Sequence, residues 1–98
     1  MRYDVAFKKK RGIKLDYYQQ GYIYFVCANY KRLPQGMRSK LDRIVRDVGG
    51  FDGDALAKLL FDVSSSVLSV SLNFSLSEGK LCRMREEFYK RAYRELTK

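Results

Sequence analysis

The sequence predicts an all-α domain of about five helices preceded by a basic arm. Three observations lead there. Met37, Leu41, Ile44, Val45 and Val48 recur at helical spacing between Pro34 and the Gly49-Gly50 pair. Leu81, Met84, Phe88, Ala92 and Leu96 do so again near the C-terminus. Between these two faces, residues 65–90 meet the requirements of two helices joined by a sharp turn. A chain of 98 residues can bury one core without disulfide staples, so one domain is expected. Residues 1–14 form the basic arm and residues 15–98 the helical domain.

The arm carries Lys8, Lys9, Lys10 and Arg11, followed by Gly12. Adjacent like charges repel, which favours an extended segment. Tyr3 to Phe7 alternates weakly, so a short strand stays open there. Asp16 to Leu33 is expected to be a buried helix running to the break at Pro34. Asp16 is its N-cap, and Leu15, Tyr18, Tyr22 and Phe25 or Val26 form its stripe. The β-propensity of Tyr-Ile-Tyr-Phe-Val keeps a strand open as the alternative.

Pro34 fits the first turn of the next helix, where the missing N–H costs nothing. Arg38, Lys40, Arg43 and Arg46 lie largely opposite its apolar face. Gly49-Gly50 ends it, because glycine takes the left-handed conformation past a helix terminus. Asp52 or Asp54 can cap a third helix, with Ala55, Leu56, Leu59, Leu60 and Val63 turned inward. Ser64-Ser65-Ser66 interrupts the pattern and offers a further cap.

The stretch that follows fits two structures. As a strand, Leu68, Val70, Leu72, Phe74 and Leu76 share one face, and Ser69, Ser71, Asn73 and Ser75 the other. As helices, a first helix runs from about Ser65 to Phe74, a turn from Ser75 to Ser77, and a second helix from Glu78 onward. The helical fit supplies apolar anchors at Val67, Val70 and Phe74 and a small residue at the crossing, Ser71. It also supplies a plug in the turn, Leu76, a cap, Ser77, and inward anchors at Leu81 and Met84.

On these residues "SVSLNFSLSEGKLCRMREEFY" resembles the helix-turn-helix superfamily. It is similar to small DNA-binding proteins of bacteriophages and integrative mobile elements, and to sigma-factor region-four domains. The resemblance covers about the last third of the chain, with a helix-turn-helix at 65–90. Two positions depart from the pattern. Ser75 stands where the turn usually holds glycine, and Gly79 sits in the first turn of the second helix.

The resemblance implies sequence-specific recognition of double-stranded DNA by a transcriptional regulator. Base contacts would come from Ser77, Glu78, Gly79, Cys82 and Arg83. Arginine donates two hydrogen bonds to the guanine edge and glutamate accepts from the cytosine amino group. Lys80 and Arg85 suit phosphate, which positions the protein without specifying sequence. Lys8, Lys9, Lys10 and Arg11 suit phosphates or a minor groove. A homodimer, through the last helix or the tyrosine-rich one, would match paired half-sites.

Charge points the same way. Twenty Lys and Arg against eleven Asp and Glu give a net charge of +9, which attracts polyanions. Binding to an acidic protein, as by a phage or mobile-element inhibitor of a host system, is the alternative. The tyrosines at 17, 18, 22, 24 and 30 either build the core or stack on single-stranded bases.

An enzyme is not expected. There is no histidine to serve as a base, and neither Cys27 nor Cys82 has one to activate it. No cofactor or metal is expected. Gly-Gly-Phe-Asp-Gly lacks the lysine of a phosphate loop, and Asp42, Asp47, Asp52 and Asp54 lack the spacing of a cation loop. No apolar run approaches the ~20 residues of a membrane span. The first residues lack the apolar stretch of a secretory signal, so a cytoplasmic protein with free thiols is expected.

Overall fold

The computed structural model describes residues 13–97, and every regular element among them is helical. The helices are α1 (Tyr17–Ala28), α2 (Gln35–Gly49), α3 (Gly53–Phe61), α4 (Val67–Phe74) and α5 (Glu78–Leu96). Short 3-10 turns, Tyr30–Arg32 and Gly50–Asp52, precede α2 and α3. The basic run Lys8–Arg11 and the strand considered at Tyr3 to Phe7 lie outside the described residues.

Asp16 caps α1 as expected, and does so reciprocally. Its carboxylate accepts from the Gln19 N–H, and the Gln19 side chain accepts from the Asp16 N–H. The helix ends sooner than expected, at Ala28 rather than near Leu33. Asn29 is the reason: its side-chain amide donates to the Phe25 carbonyl at 2.8 Å and competes with the backbone ladder. Leu33 is extended (ψ 150°), the conformation favoured before proline.

The buried face of α1 also differs from the expected stripe. Gln20, Gly21, Ile23 and Cys27 point inward, whereas Tyr18 is 81% exposed and Tyr17, Tyr22 and Phe25 are exposed beside it. Apolar residues surround this helix, so periodicity gave no clear direction. Burial instead follows the smaller side chains that let α1 approach α3 and α5. Gln20 is fully buried, and its amide donates to the Leu15 carbonyl at 3.0 Å and the Ile13 carbonyl at 3.4 Å. The chain leading into α1 is thereby pinned to the core.

In α2 the predicted face is the observed one: Leu41, Ile44 and Val45 are buried, with Met37 and Val48 half-buried. Pro34 stands one place before the helix, at the N-cap. Gly50 closes it at φ +55°, a conformation that only glycine takes without strain. In α3, Ala55, Leu56 and Leu60 face inward. Val63 does not join them, because α3 ends at Phe61 and leaves it 64% exposed in the following turn.

The strand alternative for residues 68–76 is replaced by α4 and its turn. Helical geometry divides the alternating residues: Val70 is fully buried, while Leu68 and Leu72 point outward. Phe74, expected as an anchor, is 40% exposed.

The core forms around α5, which contacts each of the other four helices. Leu81, Met84, Phe88, Tyr89 and Ala92 are its buried residues. Phe88 is the largest fully buried side chain. Burying a phenylalanine contributes about 1.5–3 kcal/mol, so this ring is a main source of cohesion. Its ring meets Phe61 edge-on at 6.4 Å, and Phe61 in turn stacks on Tyr30 at 4.2 Å. The Tyr30 hydroxyl donates to Asp42 at 2.6 Å, joining α2 to the aromatic stack.

Candidate nucleic-acid interface

The segment from α4 into α5 is built from serines. At the start of α4, Ser66 Oγ accepts from the Ser69 N–H, and Ser69 Oγ accepts from the Ser66 N–H. At its end, Ser75 takes the left-handed conformation (φ +56°, ψ +43°), the only non-glycine residue at positive φ among those described. The Leu76 N–H donates to the Ser71 carbonyl at 3.1 Å, and the Ser71 hydroxyl donates to the Leu76 carbonyl. That first bond is the long one of a Schellman ending. Leu76 packs against the core, which holds the turn down. Ser77 Oγ then accepts from the Lys80 N–H at 3.1 Å and starts α5.

Two helices at a fixed angle result, with an exposed surface on the first turns of α5. Ser77, Glu78, Gly79, Lys80, Cys82 and Arg83 are all exposed, while Leu81 and Met84 between them are buried. The expected base-contact residues are thus brought together on one face. The Arg83 guanidinium folds back over Gly79, 3.5 Å from where a β-carbon would stand. Glu78 lies in the first turn, where the helix dipole favours a negative charge.

The two phosphate candidates on α5 differ. Lys80 is exposed, but its ammonium lies 2.6 Å from the Asp52 carboxylate. Asp52 occupies the N-cap position of α3 without a capping hydrogen bond, and its carboxylate reaches α5 instead. Arg85 is half-buried: Nε is inaccessible and has no hydrogen-bond partner, and Nη2 stands 3.9 Å from Cys82 Sγ. Lys8, Lys9, Lys10 and Arg11 are outside the described residues.

Other charges are engaged at the surface. Arg43 donates to Glu95 at 3.0 Å, which lifts the guanidinium above its ordinary value through that hydrogen bond. Arg91 and Lys90 both meet Glu87, the intrahelical pairing expected of α5, and hydrogen bonding from Arg91 holds the Glu87 carboxyl below its usual range. Among the cysteines, Cys27 is buried and burial pushes its thiol up to about 12, whereas Cys82 is exposed on the candidate interface.

Several residues of this site gave no signal in the sequence. The Asp52–Lys80 pair joins positions far apart along the chain. The Ser71 hydroxyl that secures the turn was expected only as a small residue at a helix crossing. The tyrosines are split: Tyr89 is buried, Tyr24, Tyr30 and Tyr93 are half-buried, and Tyr17, Tyr18 and Tyr22 are exposed. No described helix is long and apolar enough to cross a membrane. No protein-family model matches the chain, and neither the curated proteins nor the solved structures give a match.

Proposed function

We propose that the chain is a sequence-specific DNA-binding protein that uses α4, the turn at Ser75 and α5 as a helix-turn-helix. The observation that carries this reading is the exposed polar face of Ser77, Glu78, Gly79, Cys82 and Arg83. The serine-secured turn holds that face in one orientation, on a chain of net charge +9. In this reading Arg83 donates to guanine and Glu78 accepts from cytosine. Gly79 lets the helix backbone approach the groove. Lys80, released from Asp52, contacts phosphate, as do Arg85 and the Lys8–Arg11 run. The biological role is regulation of transcription, and the resemblance to phage and mobile-element proteins suggests that setting. A homodimer would read two half-sites.

Selection from a randomised duplex pool tests this. The wild-type chain should enrich a motif, and Arg83→Ala should relax one position of it. If no motif is enriched, or the Arg83→Ala motif is the same, the assigned roles fail.

One observation favours a second reading. Leu68 and Leu72 lie one turn apart on the outer face of α4, 56% and 72% exposed. Such residues suit a protein partner, and with the positive charge they would suit an acidic one. Leu72→Glu discriminates: it should abolish binding to such a partner while only modestly weakening a DNA reader.

A further inference from the structure

Phe51 is 109% exposed, the highest value among the large apolar residues described. Helical spacing alone would place it elsewhere. Leu41, Ile44, Val48 and Phe51 recur at steps of three, four and three. Continued by two residues, α2 would carry Phe51 onto its buried stripe, seven residues after Ile44. The chain turns first. Gly50 takes φ +55° and ψ −125°, and the turn Gly50–Asp52 holds the ring in solvent. The Gly53 N–H donates to the Gly50 carbonyl and closes that turn. Keeping a phenylalanine out of the core forgoes about 1.5–3 kcal/mol, so its position calls for a use outside the domain.

The turn lies at the end of the domain where α5 begins. Arg43 of α2 meets Glu95 near the end of α5 at 3.0 Å, and Asp52 meets Lys80 in its first turn at 2.6 Å. α2 and its turn therefore run antiparallel to α5, and Phe51 adjoins the residue that touches the start of α5. α2 also packs directly on α5, so this placement outlasts the release of Lys80 to phosphate. The neighbours of Phe51 add no apolar area: they are Gly49, Gly50, Asp52, Gly53 and Asp54. One aromatic ring buries about 150–250 Å², far below the ~1,000 Å² that a stable protein interface needs. A single ring does suit a point contact in the major groove, where an apolar side chain meets the thymine methyl group. Asp52 and Asp54 beside it disfavour phosphate, which directs the ring to a base rather than to the backbone.

We propose that Phe51 is a specificity-determining residue that packs on the methyl group of one thymine, beside the bases that α5 faces. The inference rests on the DNA-binding reading and deepens it. It makes the turn between α2 and α3 a second reading element, acting by apolar contact where α5 acts by hydrogen bonds.

Selection from a randomised duplex pool is run on the full chain, as wild type and as Phe51→Ala. The wild-type motif should hold a thymine beside the positions read by α5, and Phe51→Ala should lose that preference alone. Arg83→Ala should relax a different position and keep the thymine. Deoxyuridine is then placed at that thymine, which removes only the methyl group. Wild-type affinity should fall about fourfold, the equivalent of one buried methyl group at about 0.8 kcal/mol. Phe51→Ala should be indifferent to the exchange. Its urea midpoint should equal that of the wild type. A lowered midpoint would mean that the ring is packed in the domain, which overturns the inference. The thymine contact also fails, with the DNA-binding reading intact, if the wild-type motif has no such thymine or Phe51→Ala enriches the same motif. An equal response of both proteins to deoxyuridine has the same meaning. Weaker self-association of Phe51→Ala at an unaltered motif would assign the ring to a second copy and overturn it as well. If the wild type enriches no motif, the DNA-binding reading itself fails and the thymine contact falls with it.

Discussion

Replacing Ser75 by glycine should make the protein more stable. Ser75 holds φ +56° and ψ +43°, where an L-residue's β-carbon crowds the neighbouring carbonyl at a cost of roughly 1–2 kcal/mol. Its side chain is exposed. The Leu76 N–H to Ser71 carbonyl bond is made by backbone and would survive the change. Against the relief of strain stands the greater freedom of glycine in the unfolded chain, about 0.4–1 kcal/mol. The balance is a gain of about 0.5–1 kcal/mol, or about 2–8 °C in Tm for a domain of this size. Urea unfolding followed by circular dichroism at 222 nm gives the number, as a raised midpoint at unchanged slope. Ser75→Val should move the midpoint the other way, because a β-branched residue tolerates this conformation least. If Ser75→Gly were neutral or destabilising, the turn would not have the backbone described. The orientation of α5 relative to α4 would then lose its basis.

Other expectations concern the core and the titrating groups. Gln20→Leu should cost about 1–3 kcal/mol in urea unfolding, because the Ile13 and Leu15 carbonyls lose their donor in a buried setting. A thiol reagent at pH 8 should modify Cys82 rapidly and Cys27 only at the rate of unfolding, since one is exposed and the other buried with its thiol pushed up to about 12. Asp62 should titrate below its ordinary value near 3.8, because Lys58 and Ser64 hydrogen-bond its charged form. A depressed folded-state value means that its contribution to stability is present above pH 3.8 and lost as pH falls through the lower value. Carboxyl NMR should place that midpoint, and Lys58→Met should raise it.

The helices with one apolar face were readable directly. In α2 and α5 charged residues fill the opposite side, so Leu41, Ile44, Leu81, Met84 and Phe88 could point only one way. The starts of α4 and α5 were readable from the Ser64-Ser65-Ser66 run and from Ser77, and Ser66 and Ser77 are the caps observed. α1 was not readable in the same sense. With tyrosines and aliphatic residues around its whole circumference, periodicity could not say that Ile23 and Cys27 rather than Tyr18 face the core. Alternation at residues 68–76 imitated a strand, since the polar members are serines and an asparagine that sit equally well on a helix surface. Within the candidate site, the exposed face from Ser77 to Arg83 followed from the cap and from the inward positions of Leu81 and Met84. The partner of Lys80 did not, because it depends on how the start of α3 packs against α5, and no local pattern encodes that.

In the proposed reading, the exposed face of α5 and the positive charge serve duplex DNA. Equilibrium affinity for a short random duplex, measured by fluorescence anisotropy from low to high salt, tests it most directly. Binding at low salt is expected, with a linear fall of log K with log salt at about 0.9 per phosphate contacted. Absence of binding at the lowest salt, or affinity indifferent to salt, would contradict it.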